Sequence, residues 1–262
     1  MTRVRLDQLL VDRGLAPSRA AAQALLLAGE VELAGAPNRS LKPGQLVAAQ
    51  AELRVVSRPR WASRGGDKLV AALDAFAVDP SGMACLDSGA STGGFTDVLL
   101  ERGARLVYAV DVGRGQLLDR LSRDPRVVSM ERTNLRSLRT LPEPIDLATL
   151  DLSFISLRLV LPAVHRLLAG SGRAIALVKP QFEAGKGSVP RGGVVRDPET
   201  HRSVLQRFGE DARQAGFSPA RLIGSPITGA DGNREFLVML TRASGSNQDW
   251  EGQVDALLSS PV

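Results

Sequence analysis

Four side chains of this sequence are suited to moving a proton: Lys68, Asp151, Lys179 and Glu235. Two amines and two carboxylates gathered at one place could take the proton from a weakly acidic hydroxyl and steady the charge that results. A second feature could hold a ligand close by. The apolar run Met83 to Leu86 ends in a carboxylate, Asp87, and passes through Ser88-Gly89-Ala90-Ser91-Thr92-Gly93-Gly94 into a helical stretch. Glycine has no Cβ and tolerates positive φ, so such a turn lets a ligand approach backbone N–H groups closely. The dinucleotide fingerprint needs a second glycine two residues after the first. Here Ala90 and Ser91 follow Gly89, which argues against nicotinamide chemistry.

The elements that must position these groups follow an α/β pattern. Asp67 to Phe76 is helical. Strands are expected at 83–87, 105–111, 126–130, 145–151, 173–179, 217–224 and 234–241, with helices at 94–102, 114–123, 156–168 and 197–215. Seven strands with helical crossovers predict a parallel, doubly wound sheet. Ser225 to Asn233 is too short for a crossover helix, so the last strand returns antiparallel. Asp87, Asp111, Asp151 and Lys179 then fall at strand ends, Glu235 at the start of the last strand, and Lys68 on a helix able to pack over the same rim. Ligands of open α/β sheets bind outside those strand ends. Asp111 can accept two ribose hydroxyls there, and Asn134, after the third strand, can flank a base.

The first quarter reads differently. Residues 1–64 hold 10 Arg+Lys against 5 Asp+Glu, and the other residues hold 23 of each, so the whole surplus of +5 sits there. A basic module beside a neutral one points to nucleic acid. Leu6, Leu9 and Leu10 share a helical face, with Asp7 and Gln8 outside it. Ser18 can cap a second helix from Arg19 to Ala28, stopped by Gly29. Short strands follow at 31–33, 44–47 and 53–56. Residues 57–66 form a linker with Arg58, Arg60, Arg64 and a tryptophan, Trp61, which either stacks on a base or pins the linker. The divisions expected are 1–56, the linker 57–66, 67–241, and a tail or helix over 242–262.

Composition narrows the function classes. One cysteine excludes an internal disulfide framework and fits a reducing, cytoplasmic setting. Two histidines and that cysteine do not make a tetrahedral zinc site, and no metal is expected. No run reaches the ~20 apolar residues of a membrane helix, and the N-terminus lacks the apolar segment of a signal peptide.

Several resemblances can be stated on these residues. The acid-and-glycine turn resembles the S-adenosylmethionine loop of Rossmann-like methyltransferases, which implies cofactor contacts from Asp87, Gly89, Ser91, Gly93, Gly94, Asp111 and Asn134. Arg5-Leu6-Asp7-Gln8-Leu9-Leu10, Ser18-Arg19 and Gly29-Glu30-Val31-Glu32-Leu33 resemble an S4-type RNA-binding domain, implying RNA contacts from Arg3, Arg5, Ser18, Arg19 and Gln23, extended by the linker arginines. The Lys-Asp-Lys-Glu set resembles the tetrad of FtsJ-like RNA 2′-O-methyltransferases. Over residues 4–241 the chain is similar to the TlyA (haemolysin A) family. Ser63-Arg64-Gly65-Gly66-Asp67-Lys68-Leu69, Asp151 to Ser156, Lys179 to Glu183 and Gly192-Gly193-Val194-Val195 carry that similarity.

The resemblance implies methylation of a cytidine 2′-hydroxyl in 16S or 23S ribosomal RNA, on 30S or 50S subunits, with Lys179 as base tuned by Asp151 and Lys68. The chemistry is demanding. A free lysine titrates near ~10.4, so a lysine base must be brought down by about 3 pH units, roughly 4 kcal/mol. A second lysine and exclusion of water push that way. Aromatic residues are 4% of the chain, too few for an extensive base-stacking platform. The competing readings are a haemolysin or other membrane-active protein, and a non-catalytic RNA-binding ribosome-assembly factor.

Overall fold

The structure, a computed structural model, describes residues 3–34, 41–55, 60–185, 189–242 and 249–259. The N-terminal module runs β1 (Arg3–Arg5), α1 (Leu6–Asp12), α2 (Arg19–Leu27), β2 (Val31–Leu33), β3 (Leu46–Ala48) and β4 (Leu53–Val55). Its strands form two antiparallel pairs, β1 with β3 and β2 with β4. Ser18 caps α2 by accepting the Ala21 N–H at 3.1 Å, and Gly29 follows at φ +72°, as the sequence predicts. Leu6, Leu10, Ala22, Leu26 and Val47 make a small core. Two findings depart from the sequence reading. Arg3–Arg5 is an additional strand, and Asp7, placed outside the apolar face of α1, is completely buried.

The larger unit continues with α3 (Gly65–Phe76), β5 (Ala84–Ser88), α4 (Gly94–Glu101), β6 (Leu106–Val110), α5 (Asp119–Ser122), β7 (Val127–Met130), β8 (Ile145–Leu150), α6 (Leu161–Leu167), β9 (Leu168–Val178), α7 (Pro180–Glu183), α8 (Pro198–Gln214), β10 (Ser218–Gly224), β11 (Phe236–Thr241) and α9 (Trp250–Ser259). The sheet has seven strands in the order β10-β11-β9-β8-β5-β6-β7. Neighbours from β9 to β7 pair parallel, and β11 pairs antiparallel with both β9 and β10. The last strand thus returns antiparallel, as expected. The strand order reverses between β5 and β8, which opens a crevice at their carboxyl ends.

Period-two alternation puts apolar groups on both faces of the sheet. Ala174, Ala176 and Val178 of β9 face one core with Leu150, Leu205, Phe236 and Trp250. Ile175 and Leu177 face the other with Leu69, Leu73, Phe95 and Trp61. Some helices are shorter than the pattern suggests. The stretch 114–123 keeps one helical turn, α5, because Gly113 and Gly115 precede it, the latter at φ +63°. The stretch 156–168 divides into a 3₁₀ turn over Leu157–Leu159 and then α6, with Pro162 in its first turn. The chain passes from α6 straight into β9, which begins at Leu168 rather than at 173. Residues 250–259 are helical: α9 docks Trp250 beside Gly209 of α8, donating its indole N–H to the Leu205 carbonyl at 3.1 Å.

Candidate active site

Strand register explains how residues far apart in sequence meet. Phe236 lies opposite Val178 in the antiparallel pair, so one further step brings Glu235 level with Lys179. Ser88 lies opposite Leu150, and the Asp151 N–H donates to the Ser88 carbonyl at 3.0 Å. This places Asp151 at the mouth of the crevice. Lys68, in the first turns of α3, reaches the same rim. The Lys68 Nζ lies 2.5 Å from Glu235 Oε2, and the Lys179 Nζ lies 2.6 Å from Asp151 Oδ1. Lys179 also donates to Ser153 Oγ at 3.0 Å. The sequence set is therefore two cation–carboxylate pairs, and both lysines are buried. The pairs differ in access. The Glu235 side chain is 3% exposed and that of Asp151 is 22% exposed.

A cavity of ≈240 Å³ joins these pairs to the glycine turn. Lys68, Asp151, Ser153 and Lys179 line one side, Gly89, Ser91, Gly94 and Phe95 another, and Arg64 with Leu27 and Ala28 of the N-terminal module a third. The glycines are required by their surroundings. Gly89 has φ +82°, and a Cβ there would lie 2.3 Å from the Asp151 carbonyl oxygen. Gly93 has φ +99° and forms the N-cap of α4. A Cβ on Gly94 would lie 2.3 Å from Ser63 Oγ.

The predicted ligand-binding residues divide into three groups. Gly89, Ser91 and Gly94 line the cavity, with Gly93 shaping the turn between them. Asp111 lies behind Ser91 and accepts from its N–H at 2.8 Å and from the Gly113 N–H at 2.7 Å. A small hollow of ≈10 Å³ there is lined by Asp111, Gln116, Leu117 and Glu131. Asp87 and Asn134 stand apart from both spaces. Asp87 is completely buried below the turn, where one oxygen accepts from Thr96 Oγ1 at 2.6 Å and the other from Thr149 Oγ1 at 3.1 Å. Burial pushes its carboxyl up to about 7, against the pull of those two hydroxyls. Asn134 accepts the Arg136 N–H at 3.0 Å and caps a 3₁₀ turn.

The candidate RNA contacts divide as well. Arg5, Arg19 and Gln23 converge on Asp7. Arg3 is exposed on β1, and Ser18 spends its hydroxyl on the cap of α2. Arg60 pairs with Glu101 at 2.6 Å and sits 4.6 Å over the Trp61 ring. Arg64 is exposed at the head of α3. Arg58 lies outside the described residues. Trp61 is buried against Gly66, whose Cβ would come within 2.3 Å of it. It pins the linker.

Sequence reasoning missed three supporting groups. Asn233, 1% exposed, accepts the Val195 N–H and donates to the Gly193 carbonyl, both at 2.9 Å. This ties the end of the glycine-rich stretch 184–196 to the approach to Glu235. Glu183 accepts from Ser156 Oγ at 2.6 Å and from the Leu157 N–H at 2.8 Å, joining the segment after β9 to the one after β8. Burial raises its carboxyl. Phe154, 91% exposed at φ +64°, tilts against Phe182 with centroids 5.2 Å apart. A bulky residue at positive φ is a strained conformation of the kind found at working sites. Phe154 and Glu183 lie within Asp151 to Ser156 and Lys179 to Glu183, but their roles depend on contacts between segments.

Comparison with known proteins agrees with this geometry. The model of the family described as FtsJ-like methyltransferase matches residues 61–242. The 16S/23S rRNA (cytidine-2′-O)-methyltransferase TlyA of Mycobacterium tuberculosis is 46% identical over 261 residues, covering 97% of this chain and 96% of its own. Hemolysin A of Brachyspira hyodysenteriae is 37% identical over 237 residues, covering 89% and 98%. A solved structure from Streptococcus thermophilus, described as that of a hemolysin, superposes with a TM-score of 0.77 at 40% identity, covering 98% of this chain and 95% of that one. Fold and rim thus define an FtsJ-like methyltransferase. Within that class, the chain belongs to the TlyA family.

Proposed function

We propose that this protein transfers a methyl group from S-adenosylmethionine to the 2′-hydroxyl of a cytidine in ribosomal RNA, acting on 30S or 50S subunits. The observation that carries the reading is the convergence of two buried lysines, each paired with a carboxylate, on a glycine-lined cavity. The residues fit the cofactor. Gly89, Ser91 and Gly94 offer backbone to the cavity that holds the lysines, and Asp111 sits where a ribose diol is held in related folds. Asp111 already takes two N–H groups, and the hollow beside it is small. Holding a nucleoside there requires the Gly113–Leu117 segment to shift. Asp87 supports the turn from beneath.

Bound S-adenosylmethionine supplies an electrophilic methyl on a sulfonium and leaves as a neutral thioether. The chain's own residues prepare the hydroxyl. Lys179 is ion-paired with Asp151, donates a hydrogen bond to Ser153, and lines the cavity. In its neutral form it takes the proton of the ribose hydroxyl, and Asp151 keeps the amine in place. Glu235 holds Lys68 in the lining of the same cavity. Phe154 offers an exposed ring face for a base at the rim. The basic first module, read as an S4-type domain, supplies phosphate contacts, and a ribose target distinguishes RNA from DNA.

The test is transfer of labelled methyl to separate 30S and 50S subunits from a strain lacking such an enzyme, with Lys179→Ala alongside. Label on a cytidine 2′-oxygen that vanishes in the variant is expected. Label that persists in Lys179→Ala, or that maps to a base, overturns the reading. The hemolysin names of some relatives raise a membrane alternative. Among the described residues no helix is long and apolar enough to cross a membrane. Liposome leakage by pure protein, undiminished in Lys179→Ala, would favour that alternative.

A further inference from the structure

The N-terminal module contains a buried charge that no step of methyl transfer uses. Asp7 is 0% exposed. It accepts from Arg5 Nε at 3.0 Å and Nη2 at 2.9 Å, from Arg19 Nη2 at 3.2 Å, from Gln23 Nε2 at 2.9 Å and from the Gln8 N–H at 3.0 Å. These donors come from β1, α1 and α2, so one carboxylate ties three elements together. The Arg5 guanidinium does most to hold the carboxyl well below its usual range, against the effect of burial. The charges do not cancel. Two guanidiniums meet one carboxylate, and each arginine side chain is about half exposed, at 48% and 52%. Burying a charge is a poor way to stabilise a small core, since desolvation costs about what the pairing returns. What it does well is fix where the partners sit.

We propose that Asp7 is a positioning residue for RNA binding: it holds Arg5 and Arg19 side by side as a rigid fork for the backbone phosphates of one RNA strand. This rests on the reading of the protein as an RNA methyltransferase. Arg5 presents its guanidinium edge-on to Asp7, and Arg19 gives Asp7 a single Nη2 nitrogen. A planar fork already fixed in place loses less freedom on gripping phosphate than two free side chains do. Gln23 completes the cradle without adding charge.

Removing the Asp7 charge should act opposite in sign to simple attraction. Asp7→Asn raises the net charge by one, so a diffuse positive surface would bind RNA more tightly. A positioned fork binds more weakly. Affinity would be measured at fixed salt for whichever subunit, 30S or 50S, the wild type binds. The expected result is a loss of about tenfold for Asp7→Asn, with amide exchange in α1 and α2 showing the module still folded. Arg19→Lys keeps the charge and removes the fork, and a loss of similar size is expected. A third comparison places Asp7→Asn in an Arg5→Gln, Arg19→Gln background, at lower salt if needed, where it has nothing left to position and changes little. Unchanged or tighter binding by Asp7→Asn or by Arg19→Lys overturns the proposal. So does an equal loss in the double-glutamine background, which would make Asp7 a structural residue only. If the wild type binds neither subunit, the RNA reading itself fails, and that result stands apart from the others.

Discussion

The catalytic rim and the N-terminal module both set carboxylates against cations, but in different ratios. At the rim the ratio is one to one, and both lysines are buried. In the module one buried carboxylate meets two half-exposed arginines. A neutral, enclosed pair contributes little long-range field but can place a proton donor or acceptor to within an ångström. A fixed cationic surplus moves no proton, yet it draws and orients a polyanion. The choice of cation follows the task. Lysine can lose its proton in a buried site, whereas arginine stays charged and offers a planar fork. One chain thus uses the same attraction for chemistry in one place and for capture in another.

The contrast can be broken most sharply at Lys179. Lys179→Ala is expected to lower methyl transfer by about 10³-fold with cofactor binding retained, since a positioned acid–base group contributes about 10²–10⁴. Calorimetry with the cofactor separates loss of chemistry from loss of fold. The next effect is on stability. Glu235→Ala strands Lys68 in a buried site, and breaking such a pair costs about 3–5 kcal/mol. A denaturant midpoint equal to that of wild type would mean that the Lys68 pair is not buried in solution. The module responds differently. Arg5→Gln with Arg19→Gln should weaken subunit binding and reduce the salt slope of log K by about 2, leaving turnover at saturating RNA unchanged. A fall in saturated turnover would show that the two regions do not divide the work.

A pH-dependent effect on stability falls on Asp87. The folded form keeps the Asp87 proton up to about 7, while the unfolded chain releases it near the ordinary 3.8. Between those values the folded state binds more protons, so this group's contribution to stability falls as pH rises. Asp87→Asn removes that slope. In melting curves without cofactor, the variant should gain on wild type between pH 4 and pH 8. A difference constant with pH would show that the carboxyl is not held in an unfavourable site.

Much of the larger unit was legible because its strands end where apolar runs meet charged residues. Asp87, Asp111, Asp151 and Lys179 each mark such an end, and the short Ser225–Asn233 connection foretold the antiparallel return of β11. The pairing of the four rim residues was not legible. Whether Lys68 meets Glu235 or Asp151 depends on the register of β9 with β11 and on how α3 crosses the sheet. The module was harder to read. β1 is three residues long with both arginines exposed, and it becomes a strand only by pairing with β3. Asp7 fell outside the apolar stripe of α1 because periodicity treats a carboxylate as a solvent-facing residue. Its burial depends on donors from β1 and α2, which no window along α1 contains. The place of Asn134 after the third strand suits a base contact, whereas in the structure its side chain serves a local turn.

The docking of Trp250 has a consequence for the integrity of the chain. The indole is 1% exposed and lies where a Cβ on Gly209 would come within 2.4 Å of its nitrogen. The last helix therefore acts as a plug whose fit was made by removing a side chain from its neighbour. Trp250→Gly would open an aromatic-shaped void with the Leu205 carbonyl at its base, at a cost of about 3–5 kcal/mol. Dry voids of this kind accept small aromatic molecules. Free indole, matching both the shape and the single N–H, should restore part of the lost melting temperature. Stability in such a variant would then be set by a dissolved small molecule, a chemical rheostat.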